Sequence, residues 1–170
     1  MKIGTHCLPG IALAITCAAL PTAPLAAPVQ AKAPAKPAAD KQIERGRYLV
    51  MIAGCNDCHT PNFMVSGGNT PEQERLTGST MGWRGPWGTT YPVNLRLYFQ
   101  GMSEEMWVNV AKEIQRRPPM PYFALNAMSQ ADVRAIYRYV RHLGPAGKPA
   151  PTFVPPDKDP PTPYVQFPSQ

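Results

Sequence analysis

Three stretches of the chain carry helical periodicity. In residues 130–143, Val133, Ile136, Tyr137 and Val140 recur at i, i+3, i+4, i+7 spacing, which predicts one apolar helix face. Ser129 is a fitting N-cap with Asp132 three residues on, and Met128 and Val133 form a hydrophobic staple around it. Gly144-Pro145 is a stop signal. A second helix is predicted over 104–116, capped by Ser103, with Glu104 and Glu105 in its positive-dipole turn. A third is predicted over 41–54, with Ile43, Gly46, Val50 and Ala53 on one face. Gly46 costs about 0.5–1 kcal/mol inside a helix, which close approach of another helix would explain. Residues 60–102 show neither period, so the ordered part is predicted to be all-α with long loops.

One further apolar stretch has no polar face. Ile11 to Leu20 is uncharged, follows Lys2 and precedes small residues. It is shorter than the roughly 20 residues that span a bilayer. Residues 1–31 therefore read as a secretory signal peptide, cleaved after Ala27 or Ala31. An uncleaved anchor and a lipoprotein signal at Cys17 are the competing readings. Cleavage leaves no membrane span.

Proline sharpens these boundaries. The 170 residues include 22 prolines, with six in residues 1–40, nine in 145–170 and only seven between. Proline removes a backbone donor and breaks helices. Residues 32–40 are thus expected as a flexible leader, 41–144 as one small domain, and 145–170 as a proline-rich extended tail. Phe153, Tyr164, Val165 and Phe167 make that tail able to wrap the domain or meet a partner. Net charge is +6. Basic runs interleaved with aromatics are missing, which argues against nucleic acid as a partner.

Of the four cysteines, cleavage would remove Cys7 and Cys17. The remaining pair sits in Cys55-Asn56-Asp57-Cys58-His59, the C-x-x-C-H pattern of haem attachment. Each thiol can form a thioether with one haem vinyl group, and His59 follows closely enough to reach the iron. A thioredoxin-like redox pair needs a strand–helix context, whereas a helix-like segment precedes this one. A structural zinc site needs four ligands, and the only other candidate is His142. A Cys55–Cys58 disulfide would close a very small ring.

Haem iron takes a second axial ligand in electron-transfer cytochromes. The candidates are Met64, Met81, Met102, Met106, Met120, Met128 and His142. Met120 lies in Arg116-Arg117-Pro118-Pro119-Met120-Pro121-Tyr122, where three prolines favour a rigid extended loop. Met102 and Met106 are better explained by packing, Met128 by its staple, and His142 by the dipole at its helix end.

With the early haem motif, the terminal helix and a downstream Met between prolines, residues 43–144 resemble the class I mono-haem cytochromes c. The resemblance implies the class I cytochrome c fold, three main helices with long loops around one covalently attached haem c. It also implies Met120 as ligand, because the related cytochromes that partner periplasmic molybdenum or quinoprotein dehydrogenases carry a Met-Pro-Tyr loop before the last helix. It implies a crossing of the first and last helices at Gly46 and Tyr137. By the same analogy the loop from Gly85 to Leu95 suggests Tyr91, Asn94 or Arg96 as partners of a haem propionate, beside the plain reading of all three as turn and core residues. Arg134, Arg138 and Arg141 form a basic stripe that is either a solvated face or a docking surface for an acidic redox partner. The function implied is a periplasmic carrier of single electrons from a dehydrogenase to another cytochrome or a terminal oxidase, and not an enzyme. A permanent subunit of a dehydrogenase complex, and a haem sensor or enzyme with a displaceable Met, are the alternatives.

Overall fold

The computed structural model describes residues 36–168. The expected signal peptide, both cleavage points, Cys7 and Cys17 lie outside the described residues. Among those described, no helix is long and apolar enough to cross a membrane.

Two helices form the frame. Helix α1 runs Lys36–Ile52 and α6 runs Gln130–Leu143. The predicted bounds of α6 hold. Ser129 Oγ accepts from the Asp132 amide at 3.1 Å, and Gly144 ends the helix at φ 71°. Met128 packs against the core on the outer side of that cap. Helix α1 starts inside the expected leader, with Pro37 in its first turn, where a missing N–H costs nothing. It ends earlier than expected, and Ala53 is exposed beyond it.

The helices cross where Gly46 meets α6. A Cβ built on Gly46 would lie 2.1 Å from the Ala135 carbonyl oxygen and 2.6 Å from Tyr139 Cβ. The aromatic at the crossing is thus Tyr139 rather than the expected Tyr137. Ala135 and Tyr139, four residues apart, share the face turned to α1, and both are buried. Tyr137 points elsewhere. It stacks on Phe99, ring centres 5.6 Å apart, and donates to the Met102 carbonyl at 2.8 Å.

Helix α4 (Glu104–Glu113) buries Trp107, Val108 and Ala111 against α6. The Trp107 ring is 4.5 Å from Phe99, and its Nε1 donates to Val133 O at 2.9 Å. Helix α4 stops short of the expected Arg116. A short helix absent from the sequence reading, α5 (Tyr122–Ala127), follows. Asn126 Nδ2 donates to Ala111 O at 2.8 Å, satisfying a carbonyl near the end of α4.

The expected basic stripe is mostly paired. Arg134 contacts Glu105 at 2.7 Å and Arg138 contacts Glu104 at 2.8 Å, while Arg141 donates to Gln100 at 2.6 Å. Arg134 and Arg138 join α6 to the start of α4 instead of presenting free charge.

Residues 60–102, expected to be without regular structure, hold several short elements. A hairpin pairs β1 (Gly82–Gly85) with β2 (Gly88–Thr90). Helix α3 spans Leu95–Tyr98. The tail supplies β3 (Tyr164–Gln166), which lies parallel to β1 and completes a sheet of order β2-β1-β3. This small sheet is an addition to a helical domain, which is consistent with the class I cytochrome c fold that the sequence resemblance implies.

Candidate haem site

The site begins where α1 ends. Gly54 adopts the left-handed conformation, φ 68°, that closes a helix at low cost only for glycine. The chain then re-enters a single helical turn, α2 (Cys55–His59). Positions three apart on a helix share a face, so Cys55 and Cys58 lie together with His59 directly after them.

Both thiols are free. Burial pushes the Cys55 thiol up to about 11, with a smaller upward push from Asp57. Burial and then Asp57 also raise Cys58. Neutral thiols are poor nucleophiles, so this turn does not have the lowered thiol pKa of a redox-active pair. Among the described residues, no group of three or more His, Cys, Asp or Glu is placed to hold a metal ion.

His59 is buried, with 8% of its surface exposed. Its Nδ1 lies 2.8 Å from the Val93 carbonyl oxygen. A carbonyl can only accept, so Nδ1 carries the proton and Nε2 keeps its lone pair. Burial lowers the His59 pKa, partly opposed by the Val93 bond. The imidazole is therefore neutral at neutral pH, with one nitrogen oriented by the backbone and the other available to iron.

The turn is braced from below. Thr60 Oγ1 donates to Asn56 Oδ1 at 2.8 Å and accepts from the Leu76 amide at 2.8 Å. Gly78 N–H donates to His59 O at 2.8 Å. Gly78 has φ 81°, and a Cβ there would lie 2.8 Å from Asn94 N. Segments 76–79 and 92–94 are thus laid against the turn, and the second supplies the Val93 carbonyl.

The donor set fits a haem. It offers two thiols for thioethers and a neutral, oriented imidazole for iron. In the β1–β2 hairpin, Trp87 Nε1 and Thr89 Oγ1 are buried without a hydrogen-bond partner among the described residues. Buried donors left unpaired are costly, and a carboxylate such as a propionate would satisfy them. The sequence reading offers Trp87 as an aromatic able to pack on a haem face, but neither residue as a propionate partner. The Gly–aromatic turn around Trp87 was its only signal.

The other anticipated residues have partners within the chain. Asn94 caps α3 through Leu97 N–H at 3.1 Å and donates to Ala146 O at 2.8 Å and Lys148 O at 3.1 Å. Arg96 is buried. It donates to Gly144 O at 2.6 Å, to Gln73 O at 2.5 Å and to Leu143 O, closing the end of α6. Tyr91 is buried, and its hydroxyl accepts from Thr162 Oγ1 at 3.1 Å.

Met120 is half-buried between α4 and α5. Its surroundings are less extended than the prolines suggest. Pro121 has φ −80° and ψ 61°, and Tyr122 N–H donates to Met120 O at 2.9 Å, an inverse γ-turn.

A helical domain whose first helix delivers a C-x-x-C-H turn, with its histidine neutral and oriented, is a c-type cytochrome, an electron-transfer haem protein. The family model for cytochrome c matches residues 43–144, more than half of the chain, and the protein belongs to that family with haem c as its cofactor. No curated protein and no solved structure matches the chain at a significant level.

Proposed function

We propose that the protein is an exported, class I mono-haem electron carrier. In this reading it takes single electrons from a periplasmic dehydrogenase and passes them to another cytochrome or a terminal oxidase. The observation that carries the reading is the buried His59 that follows Cys55 and Cys58, its Nδ1 held by the Val93 carbonyl at 2.8 Å so that Nε2 is available to iron. Haem supplies one-electron chemistry through its iron. Cys55 and Cys58 would fix its position by thioethers, His59 would hold the iron through Nε2, and Met120 would supply its thioether as the other ligand. A Met ligand sets a higher potential than a second His. With both positions taken, the iron has no site for a substrate, which favours a carrier over an enzyme or a gas sensor.

Export rests on the apolar run at residues 11–20 and on the chemistry of haem attachment, which takes place outside the cytoplasm. Trp87 and Thr89 suit the propionates better than Asn94 and Arg96, whose polar atoms are already engaged. A dehydrogenase as donor rests on the resemblance of Met120-Pro121-Tyr122 to the Met-Pro-Tyr loop of dehydrogenase partners.

The ligand is tested by the weak Met-to-iron charge-transfer band of the ferric protein. Met120→Ala abolishes it, while Met128→Ala and Met102→Ala retain it. The reverse result refutes the assignment. Co-purification from the native periplasm distinguishes a free carrier, which elutes alone, from a permanent subunit of a dehydrogenase.

A further inference from the structure

The C-terminal tail is tied into the domain at several points, and two contacts link the surface it builds to the loop that carries Met120. Strand β3 pairs in parallel with β1, Trp83 opposite Val165. Val154 bridges Thr89, with amide–carbonyl bonds of 2.7 and 3.0 Å. Phe167 packs on Trp83 and Trp87 at ring separations of 5.9 and 5.4 Å. Arg84 donates to Lys158 O at 2.8 Å. A Cβ on Gly88 would lie 2.5 Å from Val154 O, so the hairpin is shaped to receive the tail.

The hairpin and tail then reach the ligand loop. Thr90 Oγ1, at the end of β2, donates to Pro118 O at 2.9 Å. The Arg117 guanidinium carbon lies 3.9 Å from the centre of the Phe153 ring, a close cation–π contact. Pro118 and Arg117 precede Met120 by two and three residues. On its other side the loop is anchored by Lys112, which donates to Asn126 O at 2.8 Å and to Met128 O. Proline cannot donate, so the Pro118-Pro119 step offers the rest of the protein only carbonyls and ring faces to hold it. Thr90 takes one of those carbonyls.

We propose that Thr90 and Phe153 are positioning residues for the axial ligand, and that the C-terminal tail is the brace that keeps Met120 on the iron. The inference rests on the assignment of Met120 as ligand. How firmly the loop is held would set the fraction of molecules in which the Met120 thioether is off the iron. Loss of the Thr90 bond or of the Phe153 ring raises that fraction without touching any haem ligand.

The test uses the full-chain holoprotein and two readouts, the Met-to-iron band and the rate of carbon monoxide binding to the ferrous protein. Thr90→Val is expected to speed the slow binding about fivefold, the response to one neutral hydrogen bond. Phe153→Leu is expected to speed it about two- to fivefold. Thr90→Ser and Phe153→Tyr restore the wild-type rate, which a general loss of stability would not explain. Arg117→Leu reports the same contact from the loop side and serves if a Phe153 variant does not fold. Unchanged rates and an unchanged band in Thr90→Val and in Phe153→Leu or Arg117→Leu, with the band lost in Met120→Ala, overturn the brace alone. Retention of the band in Met120→Ala overturns the ligand assignment and the brace with it.

Discussion

The replacement Gly46→Ala probes the helix crossing on which the haem turn hangs. A methyl group there would sit 2.1 Å from the Ala135 carbonyl oxygen, while real Cβ contacts stay beyond 3.0 Å. The helices must therefore part by about 0.9 Å, and the atom in the way is backbone, which cannot swing aside. Overpacking of this kind costs about 3 kcal/mol or slightly more. Alanine regains about 1 kcal/mol of helix propensity. The net loss is about 2 kcal/mol, which lowers the melting temperature of a domain this size by about 8 °C. Thermal unfolding of the holoprotein followed by far-UV circular dichroism measures it. Gly101→Ala is the control, since nothing lies within 4 Å of a Cβ there, and it should stay within about 0.5 kcal/mol of wild type. A Gly46→Ala protein as stable as wild type refutes the close crossing. Only Ala53 and Gly54 separate helix α1 from Cys55, so the same shift displaces the thiols from His59, whose orientation is fixed separately through Val93.

Two further replacements test the brace beneath the turn and the charged contact beside it. Thr60→Val strands the buried Leu76 amide and breaks the Asn56 bond; it is expected to cost about 2 kcal/mol, read as a lower urea midpoint at unchanged slope, and an unchanged midpoint contradicts it. Glu72 is held below its usual pKa by Arg47 first and by Tyr139, despite partial burial, so its contribution is present above about pH 4.3 and is lost as pH falls further. Tyr139, pushed up to about 12 by burial and by Glu72, loses its contribution as pH rises from about 10. Glu72→Gln should flatten the acid limb of the stability profile and Tyr139→Phe the alkaline limb; steep limbs in both variants would contradict the pairing.

Much of the frame was legible because it is local. The period of α6, its Ser129 cap and its Gly144 stop are written within sixteen residues, and C-x-x-C-H states its own chemistry. What was missed depends on distant partners. Strand β1 has an apolar–polar pattern too short to read, and its pairing with β3 joins residues about eighty positions apart. Tyr137 and Tyr139 are equivalent as aromatics near a glycine; only the phase of α6 against α1 tells that Tyr139 meets Gly46. Arg96 is a candidate propionate partner only by analogy with a family loop, yet its donors go to the carbonyls at the end of α6, about fifty residues on. The basic stripe looked free because Glu104 and Glu105 approach from another helix. Helix α5 has no side-chain cap and only six residues, too few for a readable period.

The central claim is a closed site in which His59 and Met120 would both hold the haem iron. Adding carbon monoxide to the ferrous wild-type protein at neutral pH tests it most directly. The account predicts no change in the visible spectrum on the mixing timescale. An immediate, stoichiometric shift would show an open iron and contradict the electron-carrier reading.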